Sequence, residues 1–263
     1  MTPTMTDLFV LSSTDNGIGR IVLNRPDKRN ALTHAMMMAI LDALDGFGRD
    51  DAVRVVVLSA AGTSFCSGVD LADMQTVREQ RGSFDYELLP EVFTRLGAHR
   101  NPTVAMVQGS AVAGGCELAL HCDIRIGSPS TKFIMPLAKL GLGLPCEAAE
   151  RLVAMAGKTA AADMLLTGNP IEGLRAERVG LLTQVVDADQ LEAETETIVR
   201  QIASNAPLSL RALKAMLAAL GSTFRSDDLE RFNAERVALS RSQDMREGLQ
   251  AFFQRRPPQF TGV

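Results

Sequence analysis

The first half of the chain alternates short, mostly apolar runs with segments of helical periodicity. Residues 54–58 and 103–107 are two such runs, and each is only five residues long. A run of this kind is typical of a strand that is buried on both faces, as the strands of parallel sheets are. This half of the chain is therefore predicted to form an α/β core.

A hairpin and a capped helix are predicted before these runs. Residues 8–12 and 18–23 have the pattern of two strands, and the turn Asp15-Asn16-Gly17 between them is a strong hairpin signal. Thr33 is expected to be the N-cap of the helix that follows. Residues 122–126 are a further short strand candidate.

The second half of the sequence is predominantly helical, and only residues 182–186 have an extended pattern. The predicted helices cover 147–156, 158–166, 172–179, 188–204, 208–220, 227–239 and 243–254, with breaks at glycine and proline positions. We expect a core over residues 1–200 and a helical region over residues 201–263. No Pro- or Ser-rich linker indicates that the two parts fold independently.

Charge and hydropathy argue against nucleic-acid-binding, membrane-spanning and secreted classes of protein. Lysine and arginine number 27 against 31 aspartates and glutamates, a net charge of −4 that is spread along the chain. A broad basic surface for nucleic acid or an acidic membrane is therefore not expected. No apolar stretch approaches the roughly 18 to 20 residues that span a bilayer, and the first residues lack the pattern of a signal peptide. A cytoplasmic location is the default expectation.

The cysteines and histidines do not have the spacing of a metal site. Cys66, Cys116, Cys122 and Cys146 match neither a zinc pair nor a redox Cys-x-x-Cys motif, and we expect buried free thiols. The histidines are isolated from one another. The sequence therefore predicts no metal.

Two glycine-bearing junctions each follow a predicted buried strand and precede a predicted helix. They cover residues 62–71 and 109–118. The first N–H groups of a helix lack intrahelical partners, and the helix dipole adds partial positive charge at that end. Such junctions can hold anions, although glycines at strand ends also serve simply to make tight turns.

Neither junction satisfies a nucleotide-binding motif. A P-loop needs Lys and Ser or Thr after its last glycine, where this chain has Gly115 and Cys116. The glycines at 141 and 143 are followed by Cys146 where a dinucleotide fingerprint needs its third glycine.

Glu117 distinguishes the second junction. It falls in the first turn of the predicted helix, where the dipole favours a carboxylate for purely structural reasons. Its neighbours in sequence are apolar, however, so burial would raise its pKa and make it a useful base. Backbone donors beside such a carboxylate suit carbonyl chemistry through an enolate-like intermediate. His121, four residues further on, could contact Glu117 or be merely structural.

With these junctions, the chain resembles the enoyl-CoA hydratase/isomerase (crotonase) superfamily. The resemblance covers nearly the whole sequence, and the order and spacing of the motifs make it specific. The segments that carry it are 25–32 (Arg-Pro-Asp-Lys-Arg-Asn-Ala-Leu), 65–71, 114–119, 122–123, 135–141, 166–168, 180–182 and 246–248.

The resemblance implies a crotonase-like spiral of ββα repeats followed by a C-terminal helical trimerisation region, assembled as a homotrimer or a dimer of trimers. It also implies that the chain binds an acyl-CoA thioester as substrate and needs no separate cofactor. The backbone N–H groups of Val69 and Gly114 match the family's two donors to the thioester oxygen, and Glu117 matches its water-activating base.

Residues expected near the substrate also follow from the resemblance. Phe252 and Arg255 match the segment that contacts CoA bound to a neighbouring subunit, unless Phe252 simply docks the last helix. The other expected substrate- or CoA-contacting positions are Arg25, Lys28, Arg29, Ala31, Ser67, Gly68, Asp70, Leu71 and Leu137.

Leu137 departs from the family's hydratase pattern, which has a second glutamate at this position. Leucine cannot transfer the α-carbon proton, and a missing acid or base costs roughly 10²- to 10⁴-fold. Glu147 or Glu150 could replace it, although acidic residues are ordinary at the start of a helix. Hydration of an enoyl-CoA is the function predicted first. The alternatives are another family reaction (isomerisation, decarboxylation or hydrolysis) and a non-catalytic acyl-CoA binding protein.

Overall fold

A computed structural model describes residues 9–81, 88–220 and 226–263. The elements of these ranges are, in chain order, β1 (Val10–Asp15), β2 (Ile18–Leu23), α1 (His34–Arg49), β3 (Val55–Ala60), α2 (Leu71–Arg81), α3 (Leu88–Gly97), β4 (Thr103–Val107), β5 (Ser110–Val112), α4 (Gly114–Leu120), β6 (Ile124–Gly127), β7 (Lys132–Ile134), α5 (Cys146–Ala162), β8 (Ile171–Glu172), α6 (Gly173–Arg178), β9 (Gln184–Val185), α7 (Leu191–Ala203), α8 (Pro207–Leu220), α9 (Ser226–Leu239) and α10 (Gln243–Gln254).

The larger sheet has the strand order β1-β2-β3-β4-β6-β9. β1 and β2 form the predicted antiparallel hairpin, and the tight turn between them places Asn16 and Gly17 at positive φ. The other neighbouring pairs are parallel. Because each new strand is added on the same edge, the chain advances in one direction as it winds.

A second layer of pairing stacks the turns of this spiral. β5, β7 and β8 form a small sheet, and single parallel bridges join Leu32 to Val69 and Cys66 to Ala111. Ala111 is paired in turn with Phe133, and Phe133 with Ile171. Each turn therefore contributes one strand to the large sheet and one short segment to this ladder. The predicted ββα spiral is confirmed.

Both faces of the large sheet are covered, which explains the continuous apolar run at 55–58. Successive side chains of a strand point to opposite faces. Val56 and Leu58 pack in the main core with α1, α3 and α4, whereas Val55 and Val57 pack with Leu191 and other residues of α7. The run has no polar alternation because neither of its faces meets water.

The predicted helical second half is confirmed, with differences in detail. Gly157 has a φ of 73° and a ψ of 159° and kinks α5 at the predicted break. The short strands β5, β7 and β8 were not predicted, and residue 8 of the predicted first strand lies outside the described residues. α7 crosses residue 200, so the division into 1–200 and 201–263 stays a prediction. In the part of the chain described, no helix is long and apolar enough to cross a membrane.

Three of the four cysteines are buried free thiols, as predicted. The prediction was wrong for Cys146, which is exposed because it begins α5 directly after a solvent-facing loop.

The close packing of Gly115 against Cys66 can be tested by substitution. A Cβ on Gly115 would lie 2.3 Å from the carbonyl oxygen of Cys66, at the bridge that stacks two turns. We expect Gly115→Ala to lower the free energy of unfolding by about 1–3 kcal/mol in urea titrations, because the rigid backbone must shift.

Gly46→Ala is the matched control, since Gly46 lies inside α1 with nothing within 4 Å of its added Cβ. It should raise stability by about 0.5–1 kcal/mol through helix propensity. Equal effects of the two substitutions would show that the close approach at residue 115 is not a constraint.

Candidate active site

The two glycine-bearing junctions lie side by side because Cys66 is hydrogen-bonded to both flanks of Ala111. The N–H of Cys66 donates to the Ser110 carbonyl at 3.1 Å, and the N–H of Val112 donates to the Cys66 carbonyl at 2.9 Å. This parallel bridge brings the segment at 66–70 against the start of α4. The sequence analysis treated each junction separately and did not predict this contact.

The bridge at Leu32 orients Val69. Leu32 donates to the Gly68 carbonyl at 2.7 Å and accepts from the N–H of Asp70 at 2.9 Å. Val69 lies between the Gly68 carbonyl and the Asp70 N–H that make these two bonds. In a parallel bridge the residue at this position points its own N–H away from the partner segment. The N–H of Val69 has no acceptor within the described part of the chain.

Gly114 presents a second unpaired donor. It is the first residue of α4, so its N–H has no intrahelical partner, and no acceptor for it occurs among the described residues. Ala113 precedes it with a φ of 47° and a ψ of −115°, a strained conformation for alanine. Backbone strain of this kind concentrates at functional sites. A hydrogen bond from the Ala113 N–H to the Ile134 carbonyl, at 2.8 Å, holds it in place.

The peptide groups that carry the two donors are in close contact. A Cβ on Gly68, which has a φ of 91°, would lie 3.4 Å from the Gly114 nitrogen and 3.0 Å from the Val112 carbonyl oxygen. Only glycine fits there without strain. Two neighbouring N–H groups without protein acceptors are what the stabilisation of an oxyanion requires.

Glu117 is buried three residues after Gly114, with 3% of its surface exposed. Neither carboxylate oxygen has a hydrogen-bond partner among the described residues. Burial raises the pKa of Glu117 to about 7, although the positive charge of Arg151 opposes this shift. A carboxyl group with this pKa can both accept and return a proton near neutral pH.

His121 lies one turn after Glu117 on α4 and contacts it. Its Nδ1 is 2.8 Å from the Glu117 carbonyl oxygen, and because that oxygen only accepts, Nδ1 carries the proton. The same nitrogen is 3.9 Å from Glu117 Oε2. Burial, followed by the charge of Arg151, lowers the pKa of His121 to about 4, so the ring is neutral at pH 7.

The 25–31 loop is held against the first junction. Ser67 donates its N–H to the Arg29 carbonyl at 3.0 Å, and its hydroxyl lies 3.4 Å from the Lys28 carbonyl. Lys28 and Arg29 are exposed and form no ion pair with the carboxylates of the described residues. The structure thus brings the predicted loop beside Gly68 and leaves two cations free at its rim.

Arg25 and Asp70 are bonded to each other at the base of this loop. Arg25 Nη1 donates to Asp70 Oδ2 at 2.6 Å and to the Ala31 carbonyl at 3.2 Å. Asp70 also accepts from the backbone N–H groups of residues 72 and 73 at the start of α2, where Leu71 is exposed. Burial raises the pKa of Asp70, but the bonds from Arg25 and the backbone outweigh it and lower the pKa below its ordinary value.

Asn30 was not singled out by the sequence analysis and is a central contact of this loop. It is fully buried, with a φ of 54°. Its side chain accepts from the Arg25 N–H at 2.8 Å and donates to the Ala61 and Ser64 carbonyls at 2.9 and 2.8 Å. The sequence does contain one indication of this role. Asparagine adopts the left-handed conformation more readily than most residues do, so an asparagine inside an otherwise charged loop is a candidate for a tight turn.

Leu137 follows β7 and begins a short 3₁₀ turn over residues 137–140, where it is partly buried. β7 lies beside β5, whose chain continues into Gly114, so the departure from the family pattern falls at the site itself. Glu147 and Glu150 are both exposed on α5, and neither has a hydrogen bond or ion pair with the described residues. The structure does not bring either of them into contact with Glu117.

Phe252 and Arg255 lie at the end of α10, apart from the other predicted site residues. Phe252 is 78% exposed, so it does not dock the helix on its own chain. The neighbouring chain end packs at the start of β3, where Arg54 donates to the Phe260 carbonyl at 2.7 Å. The junctions lie at the opposite end of that strand. No group of three metal-ligating side chains occurs among the described residues.

Comparison with known proteins gives consistent matches over nearly the full length of the chain. The model of the family described as enoyl-CoA hydratase/isomerase matches residues 13–263. A 1,2-epoxyphenylacetyl-CoA isomerase of Escherichia coli is 35% identical, over 97% of this chain and 98% of the relative. A 2,3-dehydroadipyl-CoA hydratase of the same organism is 30% identical, over 98% and 100%.

Solved structures agree with this result. The crystal structure of an enoyl-CoA hydratase/carnithine racemase from Magnetospirillum magneticum superposes with a TM-score of 0.89 at 31% identity, covering 97% of this chain and 96% of the other. The spiral is therefore the crotonase fold. With its fold, its two junctions and the family match all in agreement, the chain belongs to the enoyl-CoA hydratase/isomerase family.

Proposed function

We propose that this protein adds water to the double bond of a 2-enoyl-CoA, and removes it in the reverse direction. The observation that carries the proposal is the buried carboxylate of Glu117, which has no hydrogen-bond partner among the described residues. It lies one helical turn after the N–H of Gly114, and neither that donor nor the N–H of Val69 beside it has an acceptor in the same ranges. Family membership supports an acyl-CoA as the substrate. No separate cofactor is needed, because the thioester itself makes the β-carbon electrophilic.

In the proposed first step, the Glu117 carboxylate takes a proton from a water molecule as its oxygen bonds to C3. The C2–C3 π electrons move toward the thioester, whose carbonyl oxygen becomes an enolate oxyanion. The N–H groups of Val69 and Gly114 stabilise that charge. Each donor of such a pair typically contributes about 10²- to 10³-fold to the rate.

The second step protonates C2 and restores the thioester carbonyl. Leu137 cannot supply this proton, so we propose that Glu117 returns the one it took, directly or through water. A carboxyl pKa of about 7 fits both halves of this cycle. One group serving both steps predicts a slower hydratase than one with two carboxylates.

The proposed complex places the CoA phosphates at the free cations Lys28 and Arg29, with Ala31, Ser67, Gly68 and Leu71 lining the approach. Arg25 and Asp70 hold that loop through their ion pair. Phe252 and Arg255 would complete the site from a neighbouring subunit of a homotrimer or a dimer of trimers, which accounts for a phenylalanine left 78% exposed. We propose a cytoplasmic enzyme without nucleic-acid or membrane partners.

A second candidate is another acyl-CoA reaction of the family, such as isomerisation, decarboxylation or hydrolysis. Leu137 favours it, because the site lacks the second acid of a hydratase, and a similar relative is an epoxyphenylacetyl-CoA isomerase. A non-catalytic acyl-CoA binding protein is the third possibility. Glu147 would be the replacement acid only if substrate binding moved it from its exposed position.

Replacing the proposed base tests the first candidate. Glu117→Gln should lower kcat/KM for crotonyl-CoA by about 10²- to 10⁴-fold while the protein still binds acyl-CoA. The loss of the enoyl thioester absorbance measures the rate. In the wild type the rate should rise with pH through a midpoint of about 7 before it levels off, because only the ionised Glu117 accepts a proton.

The outcomes of this experiment separate the candidates. Unchanged turnover in Glu117→Gln would remove the residue from its assigned role. An absence of turnover in both proteins, with tight acyl-CoA binding retained, would contradict the hydratase proposal and favour the others.

Restoring the missing acid tests the reaction further. We expect Leu137→Glu to raise hydration of crotonyl-CoA at most about tenfold if hydration is already the native reaction, because Glu117 then performs both transfers. Leu137→Gln has nearly the same size without an acid and is the control. A gain of 10³-fold with Glu but not with Gln would show that the native reaction is a different one.

A further inference from the structure

Arg151 is a partly buried cation with no carboxylate partner in the described ranges 9–81, 88–220 and 226–263. It lies on α5 between Ala148 and Leu152, whose side chains are buried toward the core. An arginine in such a place normally pairs with Asp or Glu, since removing its charge from water is costly. Its placement therefore needs an explanation.

The surroundings of Gly97 show where the guanidinium lies. A Cβ on Gly97 would be 3.6 Å from Arg151 Nη2 and 3.5 Å from His121 Cδ2. The guanidinium and the His121 ring thus meet over the same small residue at the end of α3. On its other side the ring stacks on Phe93, with 5.1 Å between the ring centroids.

The His121 ring in turn lies against Glu117, with 3.9 Å between Nδ1 and Oε2. The side chains of Arg151, His121 and Glu117 therefore follow one another in space, from the partly exposed helix α5 to the buried site. Phe93 clamps the ring from one side, and the hydrogen bond to the Glu117 carbonyl fixes it from the other.

Few other charges of the described residues lie near the Glu117 carboxylate. The remaining charged groups of α5, which packs on α4, are exposed (Glu147, Glu150 and Lys158). On α4 itself the neighbours are His121 and Cys116, and burial raises the pKa of that thiol well above its usual value, so it is neutral. The guanidinium of Arg125 on β6 donates to the Cys122 and Leu181 carbonyls. On α3 the charged groups are Glu91 and Arg95, both exposed, and Arg95 is paired with Asp45. β5 contributes no titratable group.

We propose that Arg151 is a positioning residue for the Glu117 carboxylate: it supplies, across the neutral His121 ring, the positive charge that keeps this buried base ionised. The inference rests on Glu117 being the base of the proposed function. A hydrogen-bonded partner at the carboxylate would hold it too tightly to take up a proton, whereas a cation one ring away favours the ionised form and leaves both oxygens free.

The test measures the ionisation of Glu117 directly and does not depend on turnover. The ¹³C carboxyl signal of Glu117, in protein labelled at glutamate Cδ, is assigned by its absence in Glu117→Gln and titrated with pH. We expect Arg151→Gln to move its midpoint upward by about 0.5 pH unit or more, because a favourable charge is lost. Arg151→Lys should restore most of the wild-type midpoint.

Lys158→Gln removes the same charge from an exposed position of α5 and is the matched control. It should leave the Glu117 midpoint unchanged. A midpoint that stays fixed in Arg151→Gln, or that moves equally in Lys158→Gln, would overturn the proposal. Burial lowers the pKa of His121 to about 4, so any effect of its titration on this signal falls well below the Glu117 midpoint.

Turnover gives the second readout. If Glu117 is the base, Arg151→Gln should lower kcat for crotonyl-CoA about threefold or more below pH 7, with rates converging at higher pH and with KM little changed. A shifted NMR midpoint without any effect on kcat would support the electrostatic role and contradict the proposed function of Glu117. An effect on kcat that is equal at every pH would indicate a merely structural role.

Discussion

The backbone bridge between Cys66 and Ala111 is the interaction on which the site depends. Two hydrogen bonds of 3.1 and 2.9 Å fix the register of two chain segments that are more than forty residues apart. Gly68 and Gly115 then come so close to the facing backbone that a side chain at either position would strain it. The donors of Val69 and Gly114 owe their proximity to this contact and not to any side chain of their own.

Burial of Glu117 has an energetic consequence for the whole site. A carboxyl group with a folded pKa of about 7, above its usual 4.5, is more costly to ionise in the folded protein than in the unfolded chain. By linkage, folding is favoured less as pH rises from the lower value through the higher one. The folded protein is therefore less stable when Glu117 is ionised, which is the form that accepts a proton. A carboxylate that lowers stability in this way is consistent with a functional role and not a structural one.

Much of this could be predicted from sequence, and the limits have physical reasons. The helices of the second half, the apolar strands β3 and β4 and the junctions at 62–71 and 109–118 follow from local patterns. The strands β7 and β8 are two or three residues long and exist only because Ala111 and Phe133 provide a ladder to pair with. A window of local sequence cannot show such tertiary pairing.

The site residues also divide into those that local sequence could identify and those that depend on tertiary contacts. Glu117 could be singled out because an acid among apolar neighbours is visible in sequence. The role of Asn30 depends on contacts with Ala61 and Ser64 some thirty residues away, and the proximity of Arg151 to His121 depends on how α5 packs on α4. Solvent exposure could not be predicted from residue type either. Cys146 and Phe252 are weakly polar and apolar residues, yet both are exposed on the single chain.

We propose that the N–H groups of Val69 and Gly114, which have no acceptor among the described residues, polarise the thioester carbonyl of a bound acyl-CoA. The infrared band of that carbonyl in bound ¹³C-labelled butyryl-CoA reports this polarisation. A saturated acyl chain has no double bond to hydrate, so the missing second acid does not affect the measurement. Gly114→Pro removes one N–H at the first residue of α4, and Gly114→Ala adds a Cβ in ordinary contact but keeps the N–H. We expect a band at lower frequency than in water for the wild type and Gly114→Ala, and a smaller displacement for Gly114→Pro. A band at its aqueous frequency in the wild type, or equal displacements in the two variants, would contradict it.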